Sequence, residues 1–191
     1  MGTAKEKNIR MDTYVMSKEI FINLIKKAKK ESSAYSLADM IALECDTLDI
    51  RGYQHKGFFA AITSLDDYYR ANMEMLDYVT SMEFFSNDWP FYTRTTDACP
   101  TQYFHGASVT NSMVCNAGTI EGTVENSIIG RNVHIGKGAV IKNSIILSYA
   151  NIGDGTYIEN AVVDKWVEVK KVKKIVSDSV TPAYIKRNDR L

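Results

Sequence analysis

Twelve aliphatic residues in the second half of the chain fall into three interleaved ladders that share one rhythm. Val109, Val124, Ile141 and Ile158 make the first, Val114, Ile129, Ile146 and Val163 the second, and Ile120, Ile135, Ile152 and Val169 the third. Each ladder advances by 15, then 17, then 17 residues. Within one repeat the anchors are mostly five or six residues apart, the spacing of a triangular parallel β-helix in which three short sides complete a turn. A single repeat has no partner for its apolar face, so stacking of repeats must build the core. Each buried anchor contributes about 1.5–3 kcal/mol, enough for the ladders to supply most of the core over residues 105–175. With strands about 4.8 Å apart, about four coils give a prism about 20 Å tall. Its end coils expose unpaired strand edges unless an N-terminal domain or a partner subunit covers them.

Two further patterns keep the same rhythm. A small residue follows the anchor in Ile129-Gly130, Ile135-Gly136 and Ile152-Gly153, which lets the backbone bend sharply. Ile120-Glu121, Ile158-Glu159 and Val163-Asp164 are acidic variants, and Ile141-Lys142 departs from the rule. Asn111-Ser112, Asn126-Ser127, Asn143-Ser144 and Asn160-Ala161 recur alongside. Asparagine tolerates left-handed backbone at a corner, and stacked amides can bond along a ladder.

Residues 8–83 carry a different pattern, one of mixed α/β type. Met11 to Met16 is short and apolar enough for a strand. Ser17 is an N-cap for a helix with Ile20, Phe21, Leu24, Ile25 and Ala28 on one face. Lys26, Lys27, Lys29 and Lys30 crowd its end, where the helix dipole favours cations. Ser36 and Asp39 have capping-box spacing, and Ser64 and Asp67 repeat it before a helix carrying Leu65, Tyr69, Met73 and Leu76. Leu48 to Ala61 has the character of one or two strands. Residues 84–104 hold two of the three prolines and no clean period, as expected of an extended linker that packs its aromatics on a neighbour. Residues 176–191 are expected to form a C-terminal tail.

Composition excludes several classes. Lys plus Arg equals Asp plus Glu at 23 each, so no global charge draws the chain to nucleic acid or to an anionic membrane. Three scattered cysteines, Cys45, Cys99 and Cys115, form no CxxC pair, which fits a reducing, cytoplasmic setting. No apolar run approaches the roughly 20 residues of a membrane span, and no apolar signal core opens the chain. No phosphate-binding glycine loop occurs, and Gly118, Gly122, Gly130, Gly136 and Gly138 belong to coil corners. The histidines His55, His105 and His134 do not repeat with the coils, which argues against zinc. His134 lies beside an anchor, where a hexapeptide acyltransferase would hold its general base; the plainer expectation is a polar residue on an outer face. The basic run from Lys165 to Lys174, with Lys186, Arg187 and Arg190, is a solvated face or an anion site for a phosphorylated effector. Asp39 is expected to cap its helix, and Cys45 and Cys115 to be small buried hydrophobes.

Four stretches carry a resemblance to a known family. MDTYVM (11–16), HKGFFAAITSLDDYYRANMEML (55–76), WPFYT (89–93) before Pro100, and the β-helix from VENSII to AVVDKWVEV resemble the C-terminal part of ADP-glucose pyrophosphorylases, the glucose-1-phosphate adenylyltransferases. The similarity covers about residues 8–175. The resemblance implies the remnant of a nucleotidyltransferase α/β domain, a linker, and a single-stranded left-handed parallel β-helix. The family joins ATP and glucose 1-phosphate into ADP-glucose with the help of magnesium, and its nucleotide-binding and sugar-phosphate motifs have no counterpart in this chain. Where the family's "RDVGT" motif places a metal-binding aspartate, this sequence has Ala61. The serine and glycine of the family's "SMGIY" strand align with Arg10 and Asp12, and the lysine of "DFGKD" aligns with Ala38, while Asp39 is retained. The resemblance therefore implies no catalytic, cofactor-binding or metal-binding residues here. It implies a regulatory or assembly role in glycogen biosynthesis, with a catalytic subunit or a second copy as partner and a phosphorylated metabolite as effector. Alternatives are a hexapeptide acyltransferase using His134 and a plain oligomerisation module.

Overall fold

The computed structural model describes residues 11–30, 36–84, 92 and 95–191. The chain divides into two compact units, Met1–His55 and Lys56–Leu191.

The first unit contains two helices, α1 (Lys18–Ala28) and α2 (Leu37–Leu43). The Ser17 side chain accepts from the Ile20 backbone N–H and starts α1. Ser36 and Asp39 form the full reciprocal capping box of α2, with Ser36 N–H donating to Asp39 Oδ2 at 2.9 Å and Asp39 N–H to Ser36 Oγ at 3.2 Å. Leu24 and Met40 are buried and a Lys27–Glu44 ion pair spans 2.5 Å. Most of the expected apolar face of α1 is open, since Ile20, Phe21 and Ile25 are exposed. Residues 11–17 and 49–63 form no strand among the described residues. A strand needs a neighbour for its N–H and C=O groups, and the described residues offer these segments none.

The second unit is a parallel β-solenoid with two helices before it, α3 (Leu65–Glu74) and α4 (Tyr78–Phe84). One side of the prism stacks Gln102–Tyr103, Thr119–Ile120, His134–Ile135, Asn151–Ile152 and Glu168–Val169. The second stacks Ser108–Thr110, Thr123–Glu125, Val140–Lys142, Tyr157–Glu159 and Lys174–Val176. The third stacks Met113–Val114, Ile128–Ile129, Ile145–Ile146, Ala161–Val163 and Ala183–Ile185. Every pairing is parallel, and the three sequence ladders pair anchor to anchor: Ile120 with Ile135, Val124 with Ile141, Ile129 with Ile146. Away from the first coil the anchors are completely buried in one continuous core.

The solenoid runs beyond the limits set by the ladders. Tyr103 pairs with Ile120 ahead of the first anchor coil. At the other end Ile175 pairs with Ile158, Ile185 pairs with Val163, and Glu168 bridges Arg190. Residues expected to be a tail thus cap the prism, with Ile185 buried. Ile175 keeps the rhythm, 17 residues after Ile158, but the ten-residue step from Ile175 to Ile185 breaks it and hides this coil in the sequence.

Corners are built by asparagine, as the recurring dipeptides indicate. Asn111, Asn126, Asn143 and Asn160 all take positive φ, between 43° and 53°. Asn111 donates to Asn126 Oδ1 at 2.8 Å, and Asn126 donates to Asn143 Oδ1 at 2.7 Å. The serines that follow form a second ladder inside the corner. Ser127 Oγ accepts from the Ser144 N–H, and Ser144 Oγ accepts from the Ala161 N–H. The glycines after the anchors serve close approach between coils more than bending. A Cβ at Gly130 would lie 2.6 Å from Ser148 N, and one at Gly136 2.7 Å from Asp154 N.

Helix α3 lies in the same compact unit as the solenoid, the unit that begins at Lys56. The outer surface of the third side is apolar, and α3 covers it: Tyr69 packs on Ile145 and Val162, with Leu65, Tyr68 and Met73 around them. The Tyr69 hydroxyl also donates to the Asn143 carbonyl at 2.6 Å. Tyr69→Ala removes this anchor at a cost of about 3–5 kcal/mol. The expected result is loss of α3 from the surface with the coils intact, seen as new proteolytic cleavage near residues 65–84 while the β-rich circular dichroism persists.

Candidate functional site

The segment aligned with the family's metal-binding motif leads directly into α3. Ala61 lines a shallow depression with Phe59, Thr63, Asp67, Arg70 and Glu74. Ser64 caps the helix by accepting from the Asp67 N–H at 3.1 Å. The Asp67 carboxylate is already engaged: it accepts from the Thr63 hydroxyl at 2.6 Å, from the Thr63 N–H at 3.3 Å, and from Arg70 at 2.8 Å. The Thr63 hydroxyl first, then Ser64, and more weakly the Arg70 charge, hold Asp67 below the usual carboxylate range. Magnesium takes near-octahedral oxygen ligands. The Ala61 methyl offers none and Asp67 is committed to three donors, so these residues do not fit the family's metal ion.

The other aligned positions are in the first unit or outside the described residues. Arg10 is outside them. Asp12 takes a φ of 51°, the left-handed backbone that a glycine adopts without strain. Ala38 sits in the first turn of α2, beside the capping Asp39. His55 and His105 are exposed.

His134 lies on the outer surface of the first side, between Thr119 and Asn151 on neighbouring coils. Its Nδ1 is 2.7 Å from the Thr119 hydroxyl. A general base must reach the proton it abstracts; the hydroxyl in reach here is the protein's own. The second side carries a charge ladder, with Lys142 bonded to Glu125 at 2.8 Å and the Tyr157 hydroxyl donating to Glu159 at 2.8 Å. The Glu125 bond raises Lys142, and the Glu159 bond raises Tyr157. The basic run is divided among these surfaces. Lys170 pairs with Glu168 at 3.3 Å, Lys173 donates to the Asp154 carbonyl at 2.7 Å, and Lys174 lies over the Tyr157 ring. Lys171, Lys186 and Arg187 are exposed.

Cys45 and Cys115 are exposed, contrary to expectation. Cys115 follows the inward Val114 and so points outward, while Cys45 falls in the turn after α2. Trp166 is masked in the sequence by the basic run from Lys165 to Lys174, and Tyr149 with it. The signal was available: Asn132, Tyr149 and Trp166 are 17 residues apart, in step with the anchors.

Fold and ladders together define a hexapeptide-repeat β-helix protein. The family described as GlmU-like, C-terminal hexapeptide, matches residues 100–183. The chain is 34% identical over 128 residues to the glycogen biosynthesis protein GlgD of Bacillus subtilis (strain 168), covering 67% of this chain and 37% of that one. It is 38% identical over 131 residues to GlgD of Geobacillus stearothermophilus, covering 69% and 38%. A glucose-1-phosphate adenylyltransferase of Mycoplasma mobile is 30% identical over 92 residues, 48% of this chain and 24% of that enzyme. Over the matched residues the chain is similar to GlgD and to glucose-1-phosphate adenylyltransferase. It spans little more than a third of the length of the GlgD relatives. Among the described residues, no helix is long and apolar enough to cross a membrane.

Proposed function

We propose that this chain is a non-catalytic regulatory and assembly portion of a glucose-1-phosphate adenylyltransferase, acting in the supply of ADP-glucose for glycogen biosynthesis. The observation that carries this is the depression at Ala61, where a methyl stands at the family's metal-binding position and Asp67 is occupied by Thr63 and Arg70. Without a metal ion to neutralise the phosphates, phosphoryl-type chemistry loses its main electrostatic support. The stacked coils offer edges that a catalytic subunit or a second copy can pair. A phosphorylated metabolite is the effector class, drawn by Lys171, Lys186 and Arg187 at the last coil. Incubating the purified chain with ATP, glucose 1-phosphate and magnesium should yield no ADP-glucose above the protein-free blank. Turnover by the chain alone overturns the proposal.

A further inference from the structure

At one corner of the prism, successive coils place a residue with left-handed backbone: Asn132 (φ 56°), Tyr149 (67°), Trp166 (65°) and Asn188 (66°). Asparagine suits such a corner, whereas a bulky aromatic is strained there. Tyr149 and Trp166 nevertheless occupy the two positions between Asn132 and Asn188. Their rings stack with centroids 3.9 Å apart and planes 3° apart, and they are 42% and 47% exposed. Beside them, on the outer surface of the first side, run His134, Asn151, Glu168 and Arg190, one from each rung. The two rows line one open groove.

The groove's polar groups differ from those at the Asn111–Asn143 corner. There the amides bond one another. Here the side chains of Asn132, Asn151, Asn188 and Arg190 make no hydrogen bond to another described residue. Each amide offers a donor and an acceptor together. We propose that this groove binds a neutral oligosaccharide chain, a run of glucose units of a glucan.

Three features of the groove favour that ligand. Its lining carries one cation, Arg190, and one carboxylate, Glu168; a phosphate or polyanion would find little net attraction. A sugar hydroxyl both donates and accepts, which matches unpaired amides, and the C–H patches of a sugar ring pack on aromatic surface. Stacking on each other covers one face of each ring and leaves the outer faces and edges for such contact. Four rungs at about 4.8 Å make a track about 15 Å long, suited to a chain rather than one sugar.

The corner itself supplies clean variants. Tyr149→Asn and Trp166→Asn install the residue that the flanking coils already carry, so both should fold with an unchanged melting temperature or a higher one. Calorimetric titration of the full chain with maltoheptaose should show saturable binding. Trp166→Asn, and Tyr149→Asn in the same way, should weaken it by about tenfold or more, the loss typical of an aromatic contact residue. Arg190→Gln should weaken it without changing the fold. No saturable binding to the wild-type chain overturns the proposal, as does equal affinity in Trp166→Asn. A concentration-dependent dimer that Trp166→Asn abolishes, with no maltoheptaose binding, assigns the groove to a second copy and overturns it as well. Formation of ADP-glucose does not enter this titration, so failure here leaves the regulatory proposal standing.

Discussion

Ile135→Asp is expected to unfold the solenoid, while Asn132→Asp three residues away leaves it intact. Ile135 is completely buried between Ile120 and Ile152 in the central core. The substitution loses about 3 kcal/mol of apolar burial and adds an unpaired polar group whose burial costs about 2–7 kcal/mol. That sum reaches the total stability of a typical domain, about 5–15 kcal/mol. Burial raises the new carboxyl above its unfolded pKa of about 3.9. The folded state then holds its proton where the unfolded state has lost it, so the variant loses stability as pH rises above about 4. Asn132 is exposed, with a φ of 56° that aspartate also tolerates. Thermal melts followed by circular dichroism at pH 4 and pH 7 check both statements. Equal melting of the two variants contradicts the ladder register.

Gly122→Ala should also destabilise the solenoid, less than Ile135→Asp but well beyond what a single added methyl suggests. A Cβ there would run into the Ala139 carbonyl oxygen and sit 3.0 Å from Ala139 N. The obstacle is backbone of the next coil, which is itself fixed by the Thr123 N–H bond to Ala139 O at 2.7 Å. No rotamer change relieves it, so the coils must separate locally, at about 3 kcal/mol, the upper part of the range for overpacking. Gly138→Ala is the informative contrast. Gly138 has open space around it but a φ of 67°, so its penalty is backbone strain alone, about 1–2 kcal/mol. Chemical denaturation of both variants should rank Gly122→Ala as the less stable.

The part of the fold set by local repetition was legible in the sequence. Ile120, Ile135 and Ile152 could be matched by counting because a solenoid repeats its contacts at a fixed chain separation. The caps at Ser17, Ser36 and Ser64 were legible because an N-cap bond spans only three residues. Contacts without a fixed separation were not. Docking of Tyr69 on Val162 and Ile145 joins distant segments, so no pattern in the sequence announces it. Ile185 follows Val163 by 22 residues rather than 17, so the last coil reads as a tail. Strands at 11–16 and within 48–61 followed from propensity, which does not supply the neighbouring strand that a sheet requires. At the candidate site, Ala61 could be read from the family resemblance, but the engagement of Asp67 by Thr63 and Arg70 could not.

The proposed role requires that this chain alter an adenylyltransferase without performing its chemistry. Titrating the chain into a catalytic glucose-1-phosphate adenylyltransferase, while following ADP-glucose formation across a range of phosphorylated effector, tests it most directly. The expected result is a saturable change in velocity or in the effector midpoint, with no product from the chain alone. An unchanged velocity and midpoint at saturating chain, or ADP-glucose formed by the chain alone, would contradict it.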